Sequence, residues 1–314
     1  MAGIKIRFGQ FNIRDLTMEK LLDPANPQAL AAARIIKRFL PDVLSIDEMQ
    51  AHPDAPLAFV ENFLKKGEDP VDYPFFYIGQ TNSGVPTGFS HPYDYKGYGR
   101  FRGQYGIACL SRPRIDFDGI RNLKDVSWGA LPEGYCARVS CPRDYPLWST
   151  SFLDLPIEAG YGTVVHSILV HPTVPLREYV NLRRNADQVR FLKSYIDGLA
   201  GTSPAGGPFV VIGDLNVDPD TGIGTNDITR GLLEDGNIIY RKTRRETFLE
   251  GGGVQDPPGD GPGLLKARLD YILPSSRHFS MGGPEVFAPE GTPWWPVARR
   301  ASDHFFVYAD CELI

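Results

Sequence analysis

From Ile4 to Asn12 (Ile4-Lys5-Ile6-Arg7-Phe8-Gly9-Gln10-Phe11-Asn12) apolar and polar residues alternate, the two-residue period of a half-buried strand. The period then changes. Leu30, Ala33, Ile36 and Phe39 mark one face of a helix predicted over Pro27 to Leu40, and Pro41 stops it. Asp42 to Glu48 follows as a short buried strand ending on an acidic pair, and Leu57 to Lys66 reads as a second helix. Between Gly79 and Gly106 the chain becomes rich in Gly, Pro and Tyr, which predicts a long loop of the kind that often carries function. Strands are expected at Ile107 to Leu110, Phe152 to Ile157, Gly162 to Val170, Phe209 to Ile212, Leu269 to Leu273 and Phe305 to Ala309. Helices are expected at Leu182 to Leu199, with Ala186, Val189, Leu192 and Ile196 on one face, and at Ile228 to Leu233. Gly201 to Gly207 and Gly251 to Gly263 read as loops. No repeat of fixed period appears and no linker divides the chain, so residues 1–314 are expected to form one α/β domain.

Composition narrows the class. Hydrophobic residues at 42% and charged residues at 23% fit a soluble globular protein and exclude disordered or fibrous structure. Acidic residues outnumber basic ones 38 to 33, a formal charge of −5, which counts against a non-specific grip on nucleic acid but permits a local basic groove. The apolar runs are strand-length, so no transmembrane span is expected, and Met1 to Gln10 lacks a secretory core. The chain as read is cytoplasmic, or extracellular if a signal has been removed. Cys109 and Cys311 sit in apolar segments and read as buried thiols. Cys136 and Cys141 could pair, though the expectation is that they do not.

Candidate chemistry lies at strand ends. Asn12, Glu48, His171, Asp214, Asn216 and Asp270 each fall in or just after a predicted strand, and Asp303 and His304 just before one. Such ends are where α/β folds gather catalytic groups, because the sheet holds them while solvent can enter. Carboxylates brought together repel unless a cation lies between them, and oxygen ligands without cysteine suit Mg²⁺ or Mn²⁺, with Ca²⁺ possible, rather than structural zinc. Taken singly, each acid is more often a cap or turn former. His52, His91 and His278 read as surface residues, and His166 as packed within a strand.

These segments together resemble the endonuclease/exonuclease/phosphatase superfamily. The resemblance rests on Phe11-Asn12, Asp42-Val43-Leu44-Ser45-Ile46-Asp47-Glu48, Gln104-Tyr105-Gly106-Ile107-Ala108-Cys109-Leu110-Ser111-Arg112 and Val170-His171-Pro172. It continues through Gly213-Asp214-Leu215-Asn216, Arg268-Leu269-Asp270-Tyr271-Ile272-Leu273 and Ser302-Asp303-His304, in the family's order. It implies a four-layer α/β/β/α sandwich, two mainly antiparallel β-sheets packed face to face with helices outside and the site at one end. It further implies that Glu48 is the principal metal ligand, assisted by Asn12 and Asp303. Asp214 would orient or deprotonate the attacking water, while Asn216 and His171 would donate hydrogen bonds to the phosphoryl oxygens. Asp270 and His304 look like a carboxylate–imidazole pair, and whether His304 or Asp214 is the base stays open. Arg268 is the rival partner for Asp270, since the two share a strand face. One departure is Asp47, where many relatives carry Asn or Gln; another is the missing secretion signal.

Substrate choice is less constrained. His171-Pro172-Thr173 with Arg183-Arg184-Asn185, and the loop around Asn82 to Pro86, resemble bacterial phosphatase-like members, which makes Arg183, Arg184 and Asn185 candidate substrate-binding residues. Arg177, Arg183, Arg184 and Arg190 could form a positive rim or a solvated helix face. Arg241-Lys242-Thr243-Arg244-Arg245 is a further basic cluster, and Trp294-Trp295 could wall the site or pack in the core. The expected function is a divalent-metal-dependent phosphatase or phosphodiesterase acting on a phosphorylated small molecule, as a monomer. A nuclease and a sphingomyelinase-like lipid hydrolase are the alternatives, with nucleic acid not favoured. A non-catalytic binding module is opposed by the intact set of acids and histidines.

Overall fold

The computed structural model describes residues 3–139, 141–142, 144–175, 178–199, 207–249 and 266–314. Arg177 and most of the two Gly-rich loops expected at 201–207 and 251–263 lie outside them. The strands are β1 (Lys5–Leu16), β2 (Val43–Met49), β3 (Phe75–Ile78), β4 (Gly106–Ser111), β5 (Arg121–Asn122), β6 (Phe152–Gly160) and β7 (Thr163–Val170). They continue as β8 (Phe209–Asp214), β9 (Phe248–Leu249), β10 (Lys266–Ala267), β11 (Asp270–Pro274), β12 (Phe279–Met281), β13 (Glu285–Phe287) and β14 (Phe306–Leu313). The helices are α1 (Met18–Leu22), α2 (Pro27–Phe39), α3 (Ala55–Phe59), α4 (Tyr135–Arg138), α5 (Tyr179–Ile196), α6 (Asn226–Leu233) and α7 (Trp295–Ala301). The second predicted helix starts two residues early as α3 and runs on as a π-helical turn over Val60–Leu64. The short edge strands and α7 carry too few periodic positions to have been expected.

One sheet runs β12-β14-β1-β2-β4-β3, with β13 also on β14, and the other runs β11-β8-β7-β6-β5. Pairing is antiparallel except between β1 and β2 and between β7 and β8. Strand alternation sorts the apolar side chains into layers. Phe11, Leu44, Ile46 and Ala108 face outward under α2 with Ala29, Ile35 and Ile36. Ile168, Val170 and Val211 face the other way under α5 with Val189 and Leu192. Ile6, Phe8, Val43, Val210, Ile212 and Ile272 meet between the sheets. Two sheets packed face to face under outer helices make the expected four-layer sandwich.

One expectation is corrected, and one open alternative is decided. Cys136 and Cys141 form a disulfide; the turn around α4 brings their Cα atoms to 5.3 Å, within bridging range. Trp294 and Trp295 pack on the outer layer rather than at the site mouth: Trp294 meets Phe287 and the guanidinium of Arg38, and Trp295 meets Phe305. Cys109 and Cys311 are buried free thiols, as read from the sequence.

Candidate active site

The inter-sheet layer changes character along its strands. In β1 the inward row is Ile6, Phe8, Gln10 and Asn12; in β2 it is Val43, Ser45 and Asp47; in β8 it is Val210, Ile212 and Asp214. Each row begins apolar and ends polar, and in β11 the order is reversed because the strand is antiparallel, with Asp270 opposite Asp214. The same face that buries the core therefore delivers a cluster of polar groups at one end.

Asp214 sits at the centre, 1% exposed. Its Oδ2 accepts from Asn12 Nδ2 at 3.1 Å and lies 3.7 Å from His171 Nε2 and 3.6 Å from His304 Nε2. Its Oδ1 accepts from the Asn216 backbone N–H at 2.8 Å. His304 is turned by Asp270, whose Oδ2 is 2.8 Å from Nδ1, so the pair inferred from sequence is formed. Arg268 instead bonds Glu246 and the Thr243 carbonyl, which removes it as a rival for Asp270. Glu48 stands beside this group: Asn12 Nδ2 donates to its Oε1 at 3.2 Å and the Asp15 backbone N–H to its Oε2 at 3.1 Å. Asp303 is ion-paired with Arg14 at 3.2 Å and lies close enough for its charge to act on Glu48.

Backbone geometry aims these groups. Glu48 has φ 64° and Asn216 φ 55°, a region that costs non-glycine residues about 1 kcal/mol or more and persists where surrounding contacts enforce it. At Glu48 the pairing of β2 with β4 slips between Asp47 and Met49, which breaks the strand alternation. Gly213 is required by proximity, because a Cβ there would lie 1.8 Å from the Val170 carbonyl. A side chain would drive apart the strands that carry Asp214 and His171.

Burial and charge set the protonation states. Asp214 is pushed up to about 6, by burial first and by neighbouring Asp270, with His304 and His171 opposing. Burial works against a charged His304, yet Asp270 and Asp214 hold its pKa well above the usual imidazole value. His171 is held below the usual value by burial. Glu48 is raised by burial and by Asp303.

The donors fit a hard divalent cation. Asn12 Oδ1 is buried without a hydrogen-bond partner beside the Glu48 carboxylate, and Glu48 and Asp303 repel each other without a cation. Asp214, Asp270 and His304 form a second grouping with ligand atoms within 4.8 Å of one another, but Asp270 and His304 spend facing atoms on each other.

The substrate-binding expectation changes most. Arg184 is 4% exposed, and its guanidinium donates to the carbonyls of Leu147, Pro146 and Lys96 and to the Tyr145 hydroxyl. With those donors used up inside, it cannot line a rim. Asn185 is fully buried and donates to the carbonyls of Thr173 and Leu215. It ties the loop after His171 to the loop before Asn216, which makes it a positioning residue. Arg183 lies over the exposed Tyr179 ring, and Arg190 pairs with Asp187, on the helix surface.

Four neighbours carry no assigned site role in the sequence reading, although Asp47 stands out there as a departure from the family and Gln104 opens one of its matching segments. Gln10 Nε2 donates to Asp47 Oδ2 at 2.6 Å and Asp270 Oδ1 at 3.2 Å, and its place two residues before Asn12 on the same strand face was the available signal. Asp47 Oδ2 also accepts the Asp214 backbone N–H at 3.0 Å. Asp15, near the end of β1, and Gln104, in the loop before β4, meet at 2.8 Å, a contact between distant segments that no local periodicity announces.

Comparison with known proteins identifies the family of the chain. The chain matches the model of the endonuclease/exonuclease/phosphatase family over residues 9–304. Among solved structures it is similar to an endonuclease/exonuclease/phosphatase from Beutenbergia cavernae (19% identity, 98% of this chain and 72% of that one, TM-score 0.60). It is also similar to a family protein from Leptotrichia buccalis (16%, 98% and 99%, TM-score 0.58) and to truncated Caenorhabditis elegans TDP2 (16%, 98% and 98%, TM-score 0.56). No curated protein gives a significant match. Such identities speak for the fold; the match across nearly the whole chain shows the family, and the chain belongs to the endonuclease/exonuclease/phosphatase family, whose enzymes hydrolyse phosphoesters with divalent metals.

Proposed function

We propose that this chain hydrolyses phosphoesters of small organic molecules, with Asp214 as the group that orients and deprotonates water. The observation that carries this is the placement of Asp214 Oδ2 between Asn12, His171 and His304, within 3.1 to 3.7 Å of each. Glu48, Asn12 and Asp303 would hold a divalent cation. When bound, it supplies Lewis-acid polarisation of a phosphoryl oxygen.

The remaining chemistry belongs to the protein. Asp270 orients His304 and keeps it protonated, so its Nε2–H is a donor for a phosphoryl oxygen as charge develops. A protonated His304 is a poor base, which favours Asp214 in that role. His171, held neutral by burial, and the Asn216 amide are further candidates to contact the phosphoryl group. Fixed donors near a developing negative charge accelerate reaction because they need no reorganisation.

Charge favours a small substrate. At the site, Arg14 is paired with Asp303 and Arg100 with Asp15, and Arg184 is buried. These pairings cancel much of the positive potential that a phosphate chain would require. Among the described residues no helix is long and apolar enough to cross a membrane.

The test is a panel of phosphomonoesters, phosphodiesters, DNA and sphingomyelin with Mg²⁺, Mn²⁺ or Ca²⁺, using wild type, Glu48→Gln and His304→Ala. Turnover of small phosphoesters by wild type, lost in both variants, supports the proposal. Cleavage of DNA in preference would make it a nuclease, and no turnover with any metal would refute the hydrolase reading.

A further inference from the structure

The loop between β3 and β4 displays one aromatic ring unusually openly. Tyr98 is 69% exposed, more than Phe89, Tyr95 or Phe101 in the same loop. Burying such a ring is favourable, so leaving it in water on a loosely held loop would be unremarkable. This loop is held tightly. A Cβ on Gly97 would fall 1.9 Å from the Ser149 carbonyl oxygen, and one on Gly99 would fall 2.6 Å from Ser83 Oγ. The backbone on both sides of Tyr98 is thus packed against neighbours too closely for any side chain. Ser83, itself buried, donates to the Tyr98 carbonyl at 2.7 Å and accepts from the Tyr105 backbone N–H at 3.2 Å. Arg184 adds a bond to the carbonyl of Lys96. The side chain of Tyr98 projects from a pinned frame.

Its position relates it to the site. Tyr98 stacks on Tyr105, centroids 6.1 Å apart and planes within 18°. The Tyr105 hydroxyl accepts from Gln104 Nε2 at 3.0 Å, the same amide donates to Asp15 at 2.8 Å, and the Asp15 backbone bonds Glu48. Burial, together with the charges of Glu48 and Asp15, holds the Tyr105 hydroxyl above its ordinary pKa, so it stays neutral beside the metal-ligand candidates. A ring fixed in place loses little entropy on binding another flat surface, and offset stacking between rings adds to the area buried.

Resting on the hydrolase reading above, we infer that Tyr98, backed by Tyr105, is a subsite for a planar aromatic ring carried by the phosphoester substrate. An aryl ester and a nucleobase present the same flat face, and the test separates them.

Steady-state kinetics would compare wild type, Tyr98→Ala, Tyr98→Phe and Tyr161→Ala on phenyl, nucleoside and methyl phosphoesters. Tyr161 is an even more open tyrosine, 98% exposed, in the turn between β6 and β7, at the far end of β7 from His171. Tyr98→Ala should raise KM for ring-bearing substrates about tenfold relative to its effect on the methyl ester, with kcat within about twofold. Tyr98→Phe should restore KM, and Tyr161→Ala should not change it. Calorimetric binding of phenyl phosphate, a nucleoside 5′-monophosphate and methyl phosphate gives a readout independent of turnover. Wild type should prefer a ring-bearing ligand, and Tyr98→Ala should abolish the preference; preference for the nucleotide over phenyl phosphate marks the nucleobase as the source. Absence of preference in wild type, or its survival in Tyr98→Ala, overturns the subsite even if hydrolysis stands. Preference without hydrolysis refutes the hydrolase reading and leaves the subsite.

Discussion

The two ends of the inter-sheet layer share strands, faces and burial, yet they do opposite things. At one end Phe8, Val43, Val210 and Ile212 pack with almost no exposure, and their removal from water stabilises the sandwich. At the other end Asp47, Asp214 and Asp270 are just as buried and carry groups that burial penalises. The apolar end supplies stability that the polar end consumes, and the sheet hydrogen bonds between them transmit position rather than charge. Asp47 makes the cost plain: burial and Asp214 hold its pKa well above the usual carboxylate range, and its Oδ1 has no partner.

The contrast is broken most sharply by Asp214→Asn. Under the proposed mechanism kcat should fall about 10²- to 10⁴-fold, while Tm stays level or rises because a buried charge beside Asp270 is gone. Parallel kinetics and thermal denaturation would check this, and a fall in Tm with activity intact would sink it. Phe8→Ala should do the reverse, costing about 3–5 kcal/mol of stability in denaturant titration, with kcat of the folded fraction little changed. Asn185→Ala falls between the two, since it loosens the loops carrying His171 and Asn216 from behind. A loss of roughly 10- to 100-fold in kcat is expected, with KM affected less.

Dependence on pH sharpens the comparison further. Asp214 is raised to about 6, so below that pH it binds a proton and cannot accept one from water; kcat should fall tenfold per unit there. His304 is raised by Asp270, so the alkaline limb lies above the usual imidazole range, and Asp270→Asn should move it down. A pH–rate profile with no acid limb would contradict the assignment of Asp214. The smallest effect is expected for Asp47→Asn. A carboxyl whose folded pKa is raised contributes stability at low pH that is lost as pH rises, so the neutral amide should raise Tm at pH 8 more than at pH 5. Its Oδ1 can keep both bonds that Asp47 Oδ2 now accepts.

Helices α2 and α5 show why part of the site was hidden. In α2 the buried positions are Ala and Ile, and Ala33 and Ile36 of the face read from the sequence are among them, whereas Leu30, expected on that face, is exposed. In α5 the buried positions include Arg184, Asn185, Asp187 and Gln188, polar residues that a hydrophobicity pattern assigns to solvent or to a rim. They are buried because they bond loop backbone: Asp187 takes the Trp128 indole and the Tyr135 N–H, and Gln188 the Thr173 N–H. No periodic signal distinguishes a charged residue on the surface from one that staples loops.

What the sequence determined by itself was the set of central strands, their inward faces and the residues at their ends, because alternation and strand termination are local properties of the chain. Asn12, Glu48, Asp214, Asp270 and His304 could all be named from it, and their order carried the family resemblance. Tertiary structure alone decided that Asp270 pairs with His304 rather than Arg268, that Arg184 and Asn185 hold loops, that Cys136 pairs with Cys141, and that Asp15, Gln104 and Tyr105 connect Glu48 to an exposed ring. These depend on which distant segments meet, and that is settled only when the two sheets close on each other.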